Sequence, residues 1–326
     1  MSLLVLSAQD VDSASATFDI KDWILSAAPV FVQLDNMTKG LSNDIILPHR
    51  SSVSTESYTA LFMPTRMART ETTIKVVSVP KRNTGVGLSA TTLVLDENSG
   101  VVKAVINASN LTALRNAAGS LLATQTVGPP RPEVLVVFGA GRQIAAHAQL
   151  FLKAYSCINR CVIVNRSLNS RTDNLCASLR SQFPNIRIEL GKAVDGIAEN
   201  GFDLEQAVRD ADVICTATSS TEPLFDSNWV KPGAHINLIG SYTPEMREVD
   251  GDLFKRSGVV IVDSKDACLI EAGELIRAGM TPDDLVQLGE LVDIDGQPNS
   301  GRILEVGLKS PGIERPSRNI TRVLVR

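Results

Sequence analysis

Apolar and polar positions follow two different rhythms along this chain. Over residues 1–127 the apolar positions fall in short mixed segments. Phe18, Trp23, Ile24 and Val30 recur at helical spacing and predict a helix over 13–32. Strands are predicted at 58–63, 72–79, 88–95 and 101–106. Asp96-Glu97-Asn98-Ser99-Gly100 joins the last two as a hairpin link. Consecutive strands with short links predict antiparallel pairing. An Ala-rich helix is expected over 111–126.

Gly128-Pro129-Pro130-Arg131-Pro132 is the sharpest punctuation in the chain and predicts a domain boundary. Beyond it, near-continuous apolar runs recur at 134–138, 161–164, 187–190, 213–216, 235–239 and 259–262, separated by helical or loop segments. Such runs predict strands buried on both faces of a parallel sheet. The expected class is α/β, a Rossmann-type doubly wound sheet beside an α+β unit.

Composition narrows the function classes. The 326 residues are 44% hydrophobic and 21% charged, with a net charge of −4. This balance gives no overall attraction to nucleic acid or to an anionic membrane. The start, MSLLVLSAQD, lacks a basic leader region, and no run of about 18 apolar residues predicts a membrane span. Cys157, Cys161, Cys176, Cys215 and Cys268 contain no CxxC pair, so reduced thiols and no metal are expected in a cytoplasmic protein. His49, His147 and His235 are too scattered to predict a metal site; His49 is placed beside the substrate mouth, the other two as structural. The basic residues Arg302, Lys309, Arg315, Arg318, Arg322 and Arg326 predict a solvated terminus.

The first apolar run after the prolines opens directly into Gly139-Ala140-Gly141-Arg142-Gln143 and a helical pattern. Gly139 permits a tight turn, and Gly141 lets the backbone approach a pyrophosphate aimed at by the helix N–H groups. The third position of the Gly-x-Gly-x-x-Gly pattern is Ile144, a branched residue expected to push the helix away from the sheet. The next strand ends in Asn165-Arg166-Ser167, with no acid to accept from a ribose 2′-hydroxyl. A guanidinium suits a 2′-phosphate, so NADPH is expected ahead of NADH. The loop Thr216-Ala217-Thr218 and the strand end Ile239-Gly240-Ser241 are expected to line the nicotinamide side.

Taken together, LPHR (47–50), FMP (62–64), the Lys75 strand, LTALRNAA (111–118), VFGAGRQ, VNRS (164–167), WVKPGAHINLIGS (229–241), REVD (247–250), VDS (262–264), EAGEL (271–275) and GLKSPG (307–312) resemble signatures of the ornithine cyclodeaminase/mu-crystallin family. They occur in family order. The resemblance implies a Rossmann domain, 128–301, inserted into an α+β substrate and dimerisation domain, 1–127 plus 302–326, and a homodimer. It also implies that Arg50, Lys75 and Arg115 grip a substrate carboxylate. The residues agree in part: Lys75 lies mid-strand among apolar neighbours and Arg115 on an Ala-rich helix, where a charge needs a partner or a ligand.

Two departures bear on chemistry. Tyr242 stands where ornithine cyclodeaminases resemble one another in an acid two residues before a proline. The ketimine reductase-like members also lack that acid and favour NADPH. After GLKSPG, Ile313-Glu314-Arg315-Pro316 departs from the family helix, because Pro316 interrupts it. The leading expectation is NADPH-dependent reduction of a small cyclic imino carboxylate to an amino acid. Lys75 is the expected proton donor, ahead of Tyr242 and Ser241. The alternatives are ornithine cyclodeamination, an alanine-type amino-acid dehydrogenase, and a non-catalytic NADPH-dependent binding protein.

Overall fold

The structure, a computed structural model, describes residues 2–68, 70–81, 89–199, 201–303 and 322–325. The chain forms two compact units, residues 1–23 with 36–115 and residues 24–35 with 116–326.

The first unit contains β1 (Leu4–Leu6), α1 (Ala8–Ala16), the first turn of α2 (Ile20–Thr38), β2 (Ile45–Ile46), β3 (Ser51–Ser54), β4 (Tyr58–Met67), β5 (Thr72–Pro80), β6 (Ser89–Leu95), β7 (Val102–Asn107) and the start of α3 (Ser109–Val127). The helix expected over 13–32 is two helices. Thr17 caps the end of α1, and Asp19 starts α2 by exchanging hydrogen bonds with Asp22, each 2.9 Å. The sheet order is β1-β7-β6-β5-β4-β2, with β3 also on β4. All pairs are antiparallel except β1–β7. The β6–β7 hairpin forms as expected: the Asp96 side chain accepts from Asn98 N and Ser99 N, and Gly100 has φ +68°. β4 continues through Pro64 because β3 pairs residues 59–62 and β2 residues 66–67, leaving no partner on that side at the proline.

The second unit contains β8 (Val134–Phe138), α4 (Arg142–Ala154), β9 (Arg160–Asn165), α5 (Ser170–Gln182), β10 (Arg187–Val194), β11 (Ile197–Glu199), α6 (Leu204–Asp210), β12 (Val213–Thr216), β13 (His235–Leu238), α7 (Gly251–Arg256), β14 (Val259–Val262), α8 (Lys265–Glu271), α9 (Gly273–Ala278), β15 (Leu285–Gln287), α10 (Leu288–Leu291) and β16 (Arg322–Val325). Its sheet runs β11-β10-β9-β8-β12-β13-β16-β14-β15 and is parallel except at the β10–β11 hairpin. All six expected strands form. Leu135, Val136, Val137, Val162 and Ile163 are fully buried, as a sheet covered on both faces requires.

Two expectations of domain organisation are corrected. Residues 322–325 were assigned to the first domain; they form β16, hydrogen-bonded between β13 and β14, because Val323, Leu324 and Val325 are buried strand residues. The expected tail contacts at 304–321 lie outside the described residues. The division also falls after Arg115, not at the proline cluster. The later part of α3 is buried at Ala117, Leu121 and Leu122, and its hydroxyls join the second unit. Ser120 meets the His147 ring at 3.0 Å, and Thr124 accepts from Asn237 at 3.3 Å.

Candidate active site

The glycine turn carries the chain from β8 into α4. Gly139 has φ +112°, a conformation L side chains avoid, and its N–H donates to the Val164 carbonyl at 2.8 Å. A Cβ there would stand 3.0 Å from the Ala217 carbonyl and 3.3 Å from Ile144 Cγ1. Ile144 is fully buried, so its side chain occupies the space that the absent Cβ leaves. Gly141 begins α4 without any side-chain cap, and a Cβ on it would enter open space. The first N–H groups of a 13-residue helix are therefore offered to an anion. Ala140 is buried, Arg142 exposed and Gln143 half-buried beside it.

At the end of β9, Asn165 donates to the Ser167 carbonyl at 2.7 Å, fixing the turn. Arg166 and Ser167 are exposed at its tip. No acid stands at positions 165–167.

The ends of β12 and β13 are organised by an acid absent from the expected site. Glu248 is fully buried. Its carboxyl accepts from Thr216 Oγ1 at 2.6 Å, Thr218 N at 2.6 Å, Thr218 Oγ1 at 2.8 Å and Gly240 N at 2.8 Å. Burial pushes its pKa up, and these four donors oppose the shift. Thr216 and Thr218 were expected to serve the cofactor; both hydroxyls are instead engaged by Glu248, and Thr216 is fully buried. Ala217 N is likewise taken, donating to the Phe138 carbonyl at 3.1 Å. Ile239 and Gly240 remain half-buried at the strand end. Ser241 is buried, whereas Tyr242 is exposed.

Glu274, at the start of α9 and within the EAGEL stretch, is a second buried acid, with no role assigned to it from the sequence. Among the described residues neither carboxyl oxygen has a partner at hydrogen-bond geometry, nor does the neighbouring Ser241 hydroxyl. Burial pushes Glu274 up to about 7, Ser241 partly opposes the shift, and the Glu248 carboxyl adds to it. Both acids fall in stretches that carry the family resemblance, REVD and EAGEL, yet neither stretch singles out its acid as a site residue.

In the first unit, Lys75 lies at the centre of β5, opposite Met63 of β4 and Thr92 of β6. Burial, together with the like charge of Arg115, lowers its pKa to about 8. The two cations are therefore near enough for each to feel the charge of the other. Arg50 directly precedes β3, whose Ser51 pairs with Phe62, the neighbour of Met63. That register sets Arg50 two strand spacings from Lys75, roughly 10 Å across the sheet. Arg50 and Arg115 are exposed, Arg115 on the Ala-rich helix where the sequence places it. Ala113, Ala117 and Leu121 share the buried face of α3, and Arg115 lies on the other.

His147 is buried between the Gln143 carbonyl and Ser120, and His235 is buried at the start of β13, both structural. All five cysteines are free; four are buried and Cys157 is half-buried. Among the described residues no helix is long and apolar enough to cross a membrane.

Comparison with known proteins extends these observations. A family model described as the ornithine cyclodeaminase/mu-crystallin family matches residues 25–303. The ketimine reductase mu-crystallin of Mus musculus is 30% identical over 293 residues, covering 88% of this chain and 86% of that protein. A Delta(1)-pyrroline-2-carboxylate reductase of Bacillus cereus is 30% identical over 258 residues, covering 76% of this chain and 75% of its own length. Among solved structures, Thermococcus litoralis Delta(1)-pyrroline-2-carboxylate reductase in complex with NADH and L-proline superimposes with a TM-score of 0.78 at 21% identity, over 99% of this chain and 91% of that one.

Proposed function

The chain belongs to the ornithine cyclodeaminase/mu-crystallin family, and we propose that it reduces the C=N bond of a small cyclic imino carboxylate with NADPH. The observation that carries this reading is the Lys75/Arg115 cation pair, an anion grip with one member poised to give up a proton near neutral pH. The relatives named as ketimine and pyrroline-2-carboxylate reductases support the same substrate class.

Arg115 and Arg50 bind the substrate carboxylate. Lys75 shares that charge and donates a proton to the imine nitrogen, which makes the imine carbon a better electrophile. Bound reduced nicotinamide supplies the hydride to that carbon. The uncapped start of α4 holds the pyrophosphate, and Arg166 with Ser167 takes the adenosine end. Tyr242 cannot act as a carboxylate at the substrate amine, which weighs against ornithine cyclodeamination. A homodimer paired through the first sheet fits the exposed apolar residues Leu4 and Val5 on its edge strand β1.

The test is incubation of purified protein with NADPH and Δ1-pyrroline-2-carboxylate or Δ1-piperideine-2-carboxylate. Stoichiometric loss of reduced-nicotinamide absorbance is expected. Proline formation from ornithine without net cofactor consumption would establish a cyclodeaminase instead. Saturable NADPH binding without turnover of any imine would establish a binding protein.

Coenzyme choice has its own test. Removing a guanidinium from a 2′-phosphate loses a charged hydrogen bond, about 10- to 100-fold in affinity. Arg166→Ala should raise KM for NADPH by that factor and leave KM for NADH nearly unchanged. Equal effects on both coenzymes would remove Arg166 from 2′-phosphate recognition.

A further inference from the structure

Glu248 has no place in the reaction as described, yet its fully buried carboxyl accepts four hydrogen bonds. We propose that Glu248 is a positioning residue for the nicotinamide half of the dinucleotide, holding the ends of β12 and β13 in the one arrangement that receives it. This rests on the NADPH-dependent reading above.

The geometry is specific. One carboxyl oxygen accepts from Thr218 N and Thr218 Oγ1, the other from Thr216 Oγ1 and Gly240 N. Each oxygen therefore ties down one backbone N–H, and the two N–H groups follow adjacent parallel strands. The backbone around Glu248 adds two further ties, Leu224 N to the Glu248 carbonyl and Arg247 N to the Ser220 carbonyl, both 2.9 Å. The loop after β12 is thus clamped at both its start and its end. Gly240 completes the clamp: a Cβ there would stand 2.5 Å from Glu248 Oε1 and 2.2 Å from the Thr218 carbonyl.

The location assigns the role. In a doubly wound sheet the dinucleotide lies across the carboxyl ends of the strands where the order reverses, here between β8 and β12. The end of β9 carries the adenosine-side residues. The ends of β12 and β13, on the other side of the reversal, are left for the other half of the dinucleotide. A residue that only holds the fold together would affect both halves alike; one that sets these two strand ends affects one.

The experiment measures binding of two ligands, NADPH and adenosine 2′,5′-bisphosphate, which lacks the nicotinamide half. The variants are Glu248→Gln and Thr216→Val. In Glu248→Gln either orientation of the amide points an NH2 group at a backbone N–H. Thr216→Val keeps the shape of a β-branched strand residue and removes one hydroxyl. For Glu248→Gln the Kd for NADPH should rise about tenfold or more, from lost charged hydrogen bonds, while that for the bisphosphate stays within about twofold. Thr216→Val should shift the same ratio in the same direction by a smaller factor. Equal weakening of both ligands, or no change in either, overturns the proposal. If Glu248→Gln does not fold, the ratio in Thr216→Val decides. Failure of the NADPH reading shows separately, as wild-type protein that binds neither ligand.

Discussion

Lys75→Met is expected to lower kcat/KM for the imine by about 10²- to 10⁴-fold, the range for losing a positioned proton donor, without loss of the fold. Burial and Arg115 bring the Lys75 pKa from 10.5 down to about 8. The folded protein therefore releases this proton more readily than the unfolded chain does. Below pH 8 the charged ammonium costs the fold about 3 kcal/mol, and the cost fades as pH rises toward 10.5. The methionine variant should accordingly be more stable than wild type at pH 7, with the gap closing by about pH 10.5. Catalysis should move the opposite way. Wild-type kcat/KM should fall above a pH near 8, as the donor loses its proton, and that limb should be absent in the variant. A carboxylate bound at the same cations favours charged Lys75, so the limb in kcat should lie at higher pH than the limb in kcat/KM. Chemical denaturation and pH–rate profiles check the two halves. An alkaline limb that survives in Lys75→Met would assign the proton to another group.

The second large effect concerns stability alone. Glu274 is buried and raised from 4.5 to about 7. Between those values the folded state holds a proton that the unfolded chain has already lost, so stability falls as pH rises through this window. Above pH 7 the full penalty stands, about 3 kcal/mol. Glu274→Gln keeps the shape and removes the charge. It should match wild type near pH 4.5 and exceed it at pH 8, with a Tm several degrees higher. Wild-type and variant Tm curves that run parallel from pH 4.5 to 8 would show that Glu274 does not change its protonation on folding.

What the sequence made legible follows from how strongly local pattern is tied to burial. The runs at β8, β12 and β14 are apolar at nearly every position, and both boundaries were readable to the residue. β16 was not, because its three apolar residues sit in a basic stretch that reads as a solvated tail. The β10–β11 hairpin carried a signal in Asp195-Gly196, whose φ values of 47° and 79° are those of a tight hairpin turn. The domain division was misread because proline marks a break in secondary structure, whereas α3 crosses from one packing unit to the other without a break. At the site, Lys75 was legible because a lysine amid valines has few solvated positions to occupy. Glu248 and Glu274 were not, since their burial depends on loops that meet only in three dimensions. The branched side chain at Ile144 reads as a misfit in the motif; the structure resolves it by packing that side chain where Gly139 lacks a Cβ.

The insertion of β16 between β13 and β14 orders events during synthesis. β13 and β14 are made in succession, but neither touches the other in the finished sheet; each pairs with a strand that leaves the ribosome later. Without residues 322–325 the pairings of the sheet stop at β13 on one side and leave β14–β15 as a separate pair on the other. The nine-stranded sheet is therefore continuous only once residues 322–325 are in place. Without them the facing edges of β13 and β14 are rows of unpaired backbone groups, the kind of surface that templates pairing with another chain.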